Sequence, residues 1–530
     1  MTQPTTANEA SRVQPFPGSF WTANVTELFE RAAYYSMASF VVIYLGQLGF
    51  GAYWPSTLNS TLWFLVFFLP ILSGTIADQI GFRRALLIAF VLLTAGYLMM
   101  GYPVWLGGSA LSATIGQEVT ASTRDFVVLF TGIVLVGIGG SVIKPCISGT
   151  VQKTAGARAT LGFAIFYMVI NIGSLFGRGT AFVVRSGSGL GTILAVVTVL
   201  ALAAFLIVLL VHRTTKAERS RKDIWVATAG FTSIVVVASA LVAWIFRSNA
   251  AERVGTQTSS LSYIFAVAAL ASVVAFFVVL ATYREPKVEG AAAAKPKRSV
   301  GRILLDMVLV LRSGRFTLYL IVMTGFYFLY NQVYNVLPLY VKRVVETNPA
   351  MDLYTAANPF VIVCFQLLIS NAFGKLRPIR SMVVGTVIIA LAMLINVLPI
   401  YVAGGPQAVM ANWLPIASVF IILTVALIAL GELFTSPRMY EYIGALAPKG
   451  QEGLFLGYAN LPLALGALLG GPVGAYIFNE IMIKGATTRP DGLLELVPFY
   501  NTLGWVILMA IGFVSAFSLW LFNRWLERQQ

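Results

Sequence analysis

Residues 27–37 read "ELFERAAYYSM", which puts two glutamates, an arginine and two tyrosines inside the first long apolar run of the chain. At the centre of a membrane helix each charge costs on the order of 2.5–3.5 kcal/mol on insertion scales. Three charges within five residues therefore need a reason. At about 100° per residue, Glu27, Glu30, Arg31 and Tyr34 fall within about one 100° sector, with Tyr35 at its edge. Glu27 and Arg31 are spaced i, i+4 and can pair. A single polar stripe on an apolar helix faces protein or water, and buried intramembrane charges mark ion or substrate paths more often than they merely bind helices together.

The rest of the chain sets that stripe in a membrane. Of 530 residues, 58% are hydrophobic and 11% charged, with mean hydropathy +0.82. A soluble chain carries about 25% charged residues. Most apolar runs are long enough to cross a hydrocarbon core of roughly 30 Å. The chain reads as an all-α integral membrane protein with about fourteen spans, near 17–46, 56–77, 84–105, 126–149, 160–184, 190–212, 224–246, 260–282, 316–344, 355–374, 380–402, 413–436, 453–480 and 496–523. The net charge of +15 is concentrated in "HRTTKAERSRKD" (212–223), "REPKVEGAAAAKPKRSV" (284–300) and "KLRPIR" (375–380), which alternate with loops nearly free of Lys and Arg. By the positive-inside rule these basic loops face the cytoplasm, and an even span count puts both termini there as well. The charge thus reports topology and contact with anionic lipid. Nucleic-acid binding would need a basic soluble face, which is missing.

Cys146 and Cys364 both fall in apolar segments, so no disulfide framework is indicated. The polar first sixteen residues lack the pattern of a cleavable signal, and the first helix is expected to remain as an anchor. The lone histidine, His212, stands beside Arg213 at a helix end and reads as interfacial. No metal site and no cofactor are expected, and no nucleophile–base pair points to an enzyme.

The halves echo each other. "GGSVIKP" (139–145) and "LGELFTSP" (430–437) end corresponding spans about 292 residues apart, and "GFAIFYMVINIGSLFG" (162–177) and "GLFLGYANLPLALGALLG" (453–470) recur at nearly the same offset. Such a repeat is a transporter signature, with the substrate site between the repeats near the midplane. The expected organisation is a six-helix bundle over 1–212, two inserted transmembrane helices and a cytoplasmic linker over 213–298, and a second six-helix bundle over 299–530. The inserted spans, 224–246 and 260–282, contain no charge and can face lipid all round.

Two further charges lie deep in apolar helices. Lys144 precedes Pro145 in "GIGGSVIKPC", and Glu432 lies in the equivalent helix of the second half, "ALIALGELFTSP". Arg178 shares a face with Asn171, seven residues earlier, but sits near the end of its span, so both snorkelling to the interface and a role in the site are open. Lys144 and Arg31 from one half facing Glu432 from the other make a dipolar cavity suited to a small zwitterion. Two residues span about 7 Å when extended. Asn171 and Asn358 offer neutral amides, and tyrosines 34, 35, 167, 327, 330 and 334 offer amphipathic walls.

At these residues the chain resembles the proton-dependent oligopeptide transporter family, a branch of the major facilitator superfamily. Glu27, Glu30, Arg31, Tyr34 and Tyr35 match its first-helix motif E-x-x-E-R-F-x-Y-Y, with Ala32 in place of the Phe. "IKPCIS" (143–148) resembles its fourth helix and "FAIFYMVINIGSL" (163–175) its F-Y-x-x-I-N-x-G signature. "NPFVIV" (358–363) and "GELFTSP" (431–437) resemble its eighth and tenth core helices, and "GTIADQIGFRR" (74–84) the superfamily loop after helix two. The resemblance implies a major facilitator fold with two extra helices, as in bacterial members, and hence a multi-pass protein of the bacterial inner membrane. It further implies Arg31 and Lys144 holding the peptide carboxyl end, Asn171, Asn358 and Glu432 the amino end, and Tyr35 and Tyr327 lining the pocket. Glu27, Glu30, Arg31 and Lys144 would form the proton-coupling network.

The match is incomplete. The family usually has a second arginine seven residues after the motif arginine and a glutamate before the glutamine of helix seven, which pair as an outer latch and proton site. Here those positions are Ala38 and Asn331. Tyr327 replaces a usual Trp, and "FLVFFLP" (64–70) offers only Phe67 or Phe68 where a second-helix tyrosine is usual. The leading expectation is a monomeric carrier that takes up di- and tripeptides with protons by alternating access. The alternative keeps the fold and carries another small zwitterion or anion (amino-acid-like, nitrate or drug-like), weakly coupled or uncoupled to protons, or exported by antiport.

Overall fold

The computed structural model describes residues 16–155, 159–185, 261–286, 308–402, 414–446 and 458–528, with a few isolated positions between them. The expected spans at 190–212 and 224–246, His212 and most of the 283–300 linker lie outside those residues. The main helices are α1 (Gly18–Ala38), α2 (Val41–Gln47), α3 (Trp54–Phe68), α4 (Pro70–Ile80), α5 (Phe82–Trp105), α6 (Thr123–Ala155), α7 (Ala159–Arg185) and α8 (Tyr263–Thr282) in the first half. The second half has α9 (Gly314–Tyr330), α10 (Met351–Phe373), α11 (Pro378–Ile395), α12 (Ile416–Leu446), α13 (Leu461–Tyr476) and α14 (Pro498–Glu527). Two short β-hairpins, Val409–Met410 with Leu414–Pro415 and Thr487–Thr488 with Leu494–Glu495, decorate loops.

Among the described residues, nine helical spans are long and apolar enough to cross a membrane, and the bent pair α3/α4 makes a tenth. The pair bends by 46° where Pro70 enters the chain. Proline lacks the N–H that would continue the ladder, and its ring crowds the carbonyl one turn earlier. Helices α1 and α10, of 21 and 23 residues, are equally long but are interrupted by polar groups. Those interruptions are the candidate site.

Helix α1 is enclosed by α6, α7 and α8. It approaches α7 closely because Gly177 leaves room for the Ala32 carbonyl, where any Cβ would collide. Helix α8 corrects an expectation. The 260–282 span, read as an insertion free to face lipid all round, packs against α1 and α5 and buries Ile264, Phe265, Ala268, Val274 and Val279, among others. Ser262 accepts a bond from the Trp105 indole at 3.1 Å, and the rings of Phe265 and Tyr44 lie 4.6 Å apart. Uniform apolarity carries no phase, so the sequence could not reveal which face of this helix meets protein.

In the second half α11 lies between α12 and α14, and α9 packs against α13 and α14. The halves meet along α3 with α13 and α7 with α10. Loops 48–53, 106–122, 346–350 and 483–497 gather at one end of the bundle, called here the far end, opposite the "KLRPIR" turn at 375–380. Among the described residues, every hydrogen bond between the halves lies toward the far end. Asn59 donates to the Tyr334 carbonyl at 2.9 Å and to Asn335 Oδ1 at 3.1 Å, Asn479 to the Ala52 carbonyl at 3.1 Å, and Tyr53 to Glu480. Gly471 sits so close to Ser60 Oγ and the Ser56 carbonyl that a Cβ there would overlap both. The halves are sewn together at the far end, and the half-buried polar residues of the interior lie below that seam.

Candidate functional site

The polar stripe of α1 forms the floor of the site. Glu27 and Glu30 are fully buried and Arg31 nearly so. Arg31 Nε donates to Glu30 Oε2 at 2.5 Å and lies 3.3 Å from Glu27 Oε1. Tyr34 sits under the guanidinium, 5.4 Å from its ring centroid. One cation thus serves two carboxylates, leaving both oxygens of Glu27 and Oε1 of Glu30 without a hydrogen bond among the described residues. Buried carboxylates so poorly satisfied are costly. The arrangement calls for another positive group.

Lys144 is that group. It is half-buried on α6, just before the in-helix Pro145, and makes no hydrogen bond or ion pair with a described residue. It lies within electrostatic reach of Glu27, Glu30 and Glu432. Glu432 belongs to α12 of the other half, so one ammonium faces acids of both halves across the interior. Glu432 itself is half-buried, accepts a bond from Asn358 Nδ2 at 3.2 Å, and is also approached by the Tyr330 hydroxyl. Tyr167 packs against Ile362, Ala429 and Leu433 of the second half. Arg31 and Lys144 thus stand on one side, and Asn358 and Glu432 on the other.

The remaining expected residues sit around this pair of poles. Asn171 is buried and spends its amide on the Tyr167 carbonyl of its own helix at 2.9 Å, leaving its oxygen available. Tyr327 is buried against α12, its hydroxyl 3.5 Å from Met439 Sδ. Tyr35 is half-buried, its ring covered by the Arg178 guanidinium at 4.6 Å.

A family model described as the POT family matches residues 83–489. The chain belongs to the POT family. It is similar to the dipeptide and tripeptide permease B of Photorhabdus asymbiotica, 24% identical over 544 residues and covering 97% of each chain. It is also similar to the dipeptide and tripeptide permease A of Salmonella typhi, 24% identical over 500 residues, covering 91% of this chain and 87% of the relative. Among solved structures, a POT family transporter in complex with a thioalcohol-conjugated peptide superposes with TM-score 0.61 at 17% identity, covering 96% of this chain and 98% of that one. A peptide transporter POT in complex with sulfate gives 0.60 at 19%, covering 97% and 95%. These last two establish the shared fold, a major facilitator arrangement of membrane helices.

Within this POT-family fold the departures can be followed atom by atom. Ala38 is a buried methyl, and Asn331 turns its amide back to the Tyr327 carbonyl at 2.9 Å, so neither contributes an ion pair. Phe67, one of the two phenylalanines standing where a second-helix tyrosine is usual, stacks on Trp63, and the Trp63 and Tyr334 ring centroids lie 4.6 Å apart. Arg178 resolves the ambiguity left by the sequence. It does not snorkel, being 1% exposed, and its fork reaches Thr355 and Tyr334 of the opposite half. Its signal was visible in the Asn171 heptad spacing. What the sequence lacked was the covering of that helix end by α1 and α10.

Proposed function

We propose that the chain is a carrier, not an enzyme, that takes up di- and tripeptides together with protons by alternating access across the bacterial inner membrane. On this reading the far end faces outward, and the basic loops and both termini face the cytoplasm. The observation that carries it is the charge arrangement across the interior, with Arg31 and Lys144 on one half opposite Asn358 and Glu432 on the other. A peptide zwitterion has its charges at opposite ends and matches those poles. The permease names of the relatives point the same way.

Coupling follows from the shortage of cations. Arg31 and Lys144 together serve Glu27, Glu30 and the incoming peptide carboxylate. When the peptide takes a cation, a glutamate left without one in an apolar helix is neutralised by a proton, because an unpaired buried charge is the more costly state. Proton and peptide then enter together. Asn171, Tyr35 and Tyr327 line the same interior and contact the peptide backbone and side chains.

The test is uptake of labelled dipeptide into proteoliposomes with and without an imposed proton gradient. Concentrative uptake only with the gradient is the expected result. Uptake that never exceeds equilibrium would leave a facilitator, and no uptake of any of a panel of peptides would remove the peptide assignment.

A further inference from the structure

Arg178 is the one described buried arginine in the interior whose partners include no carboxylate. Its Nε donates to Thr355 Oγ1 at 2.9 Å, one terminal nitrogen donates to the Tyr334 hydroxyl at 3.1 Å, and the other donates to Ser174 one turn below on its own helix. The Tyr35 ring covers one face of the guanidinium. Thr355 spends its own proton on the Met351 carbonyl at 2.7 Å, so its oxygen accepts two bonds, from Arg178 and from Ser39 at 2.8 Å. Arg178, Tyr35 and Ser39 belong to the first half, Thr355 and Tyr334 to the second. Helix α7 carries Arg178 two turns, about 10 Å, beyond Asn171 toward the far end. The cluster is therefore the roof of the interior, directly under the seam.

We infer that Arg178 is the gating residue of the far side, a cation that closes the two halves by hydrogen bonds to neutral hydroxyls rather than by an ion pair. In this closed arrangement three separate guanidinium nitrogens are satisfied and an aromatic face neutralises part of the charge, which is what a cation without an acid needs in order to be buried. Separation of the halves removes Thr355 and Tyr334 but gives the guanidinium to water, so both states are tolerable and the roof can be bistable. An Arg–carboxylate pair at the same place would hold more firmly and would add an acid to the proton accounting. Here the bonds that Arg178 makes to the second half engage no carboxylate among the described residues.

The inference rests on alternating access as proposed above, but its test needs no substrate. In a chain lacking the two natural cysteines (Cys146→Ala, Cys364→Ala), Ala38→Cys places a thiol at a buried position next to Ser39, at the level of the roof. A membrane-impermeant maleimide applied from the outer side reports opening. Arg178→Gln, Thr355→Val and Tyr334→Phe should each raise the labelling rate by about tenfold or more, the worth of one hydrogen bond to a charged group. The last two keep the cation and serve if Arg178→Gln does not fold. Unchanged labelling in every folded variant overturns the inference, and so does an equal rise with Thr180→Val, an exposed hydroxyl on the same helix. Absence of peptide uptake in the parent would leave this readout intact, so the two readings fail separately.

Discussion

Asn358 Nδ2 meets Glu432 Oε2 at 3.2 Å across two helices of one half, and Lys144 of the other half lies within electrostatic reach of the same carboxylate. Glu432 is thus positioned by a neutral amide rather than by an ion pair, and its counter-charge lies across the interior. An incoming ammonium can replace the amide without first breaking a tight ion pair.

Glu432→Gln should weaken uptake of free-amine dipeptides by about tenfold or more relative to the parent, since a hydrogen-bonded charge contact is worth about 1.5–3 kcal/mol. N-acetylated peptides should lose far less. Competition assays with matched acetylated and free peptides read the difference, and an equal loss for both ligands would make Glu432 a structural residue.

Lys144→Ala should abolish concentrative uptake while the protein still expresses and elutes as a folded species. The ammonium has no described hydrogen-bond partner to lose, and a glutamate that loses its counter-charge can be neutralised by a proton, so the fold survives the removal while Glu27, Glu30 and the peptide carboxylate lose a cation. Normal accumulation by a well-expressed variant would contradict the coupling scheme.

Glu30→Gln fixes the neutral form of the acid closest to Arg31. It should still exchange labelled for unlabelled peptide across the membrane but no longer concentrate peptide when a proton gradient is imposed. Counterflow and gradient-driven uptake, measured on the same vesicles, separate these. If Glu30→Gln and Glu27→Gln both accumulate as the parent does, the proton rides elsewhere.

Gly471→Ala should loosen the seam between α3 and α13, because its Cβ would overlap Ser60 Oγ and the Ser56 carbonyl. Overpacking of this kind costs about 1–3 kcal/mol, visible as a lower Tm. Adding Ser60→Gly should recover part of the loss. A parent-like Tm for Gly471→Ala alone would mean that the seam has slack.

The sequence was most informative where polarity interrupts apolarity. Glu27, Glu30, Arg31, Lys144 and Glu432 stand out because each is expensive in a membrane, and the repeat pairs the helix of Lys144 with the helix of Glu432. It was least informative where composition is uniform. Helix α8 has no polar face, so its burial against α1 and α5 had no counterpart in the pattern. Arg178 lies between these cases. Its chemistry was evident, but whether the end of α7 met water or protein depended on Ser39, Tyr334 and Thr355, three segments distant in sequence.

Glu27 and Glu30 hang from one arginine by different kinds of tether. Glu30 is held by a short directional bond, whereas Glu27 accepts no hydrogen bond from a described residue and is held by charge at 3.3 Å. A hydrogen bond fails within a fraction of an ångström or a few tens of degrees of misalignment, while Coulomb attraction falls only as the inverse of distance. All three groups ride on α1, so a slide or roll of α1 against α6 leaves both tethers intact and changes only their distance to Lys144, which follows by Coulomb attraction alone. Motion between these two helices therefore changes the field felt by both acids together, while the Arg31 pairing travels with α1 as one rigid unit.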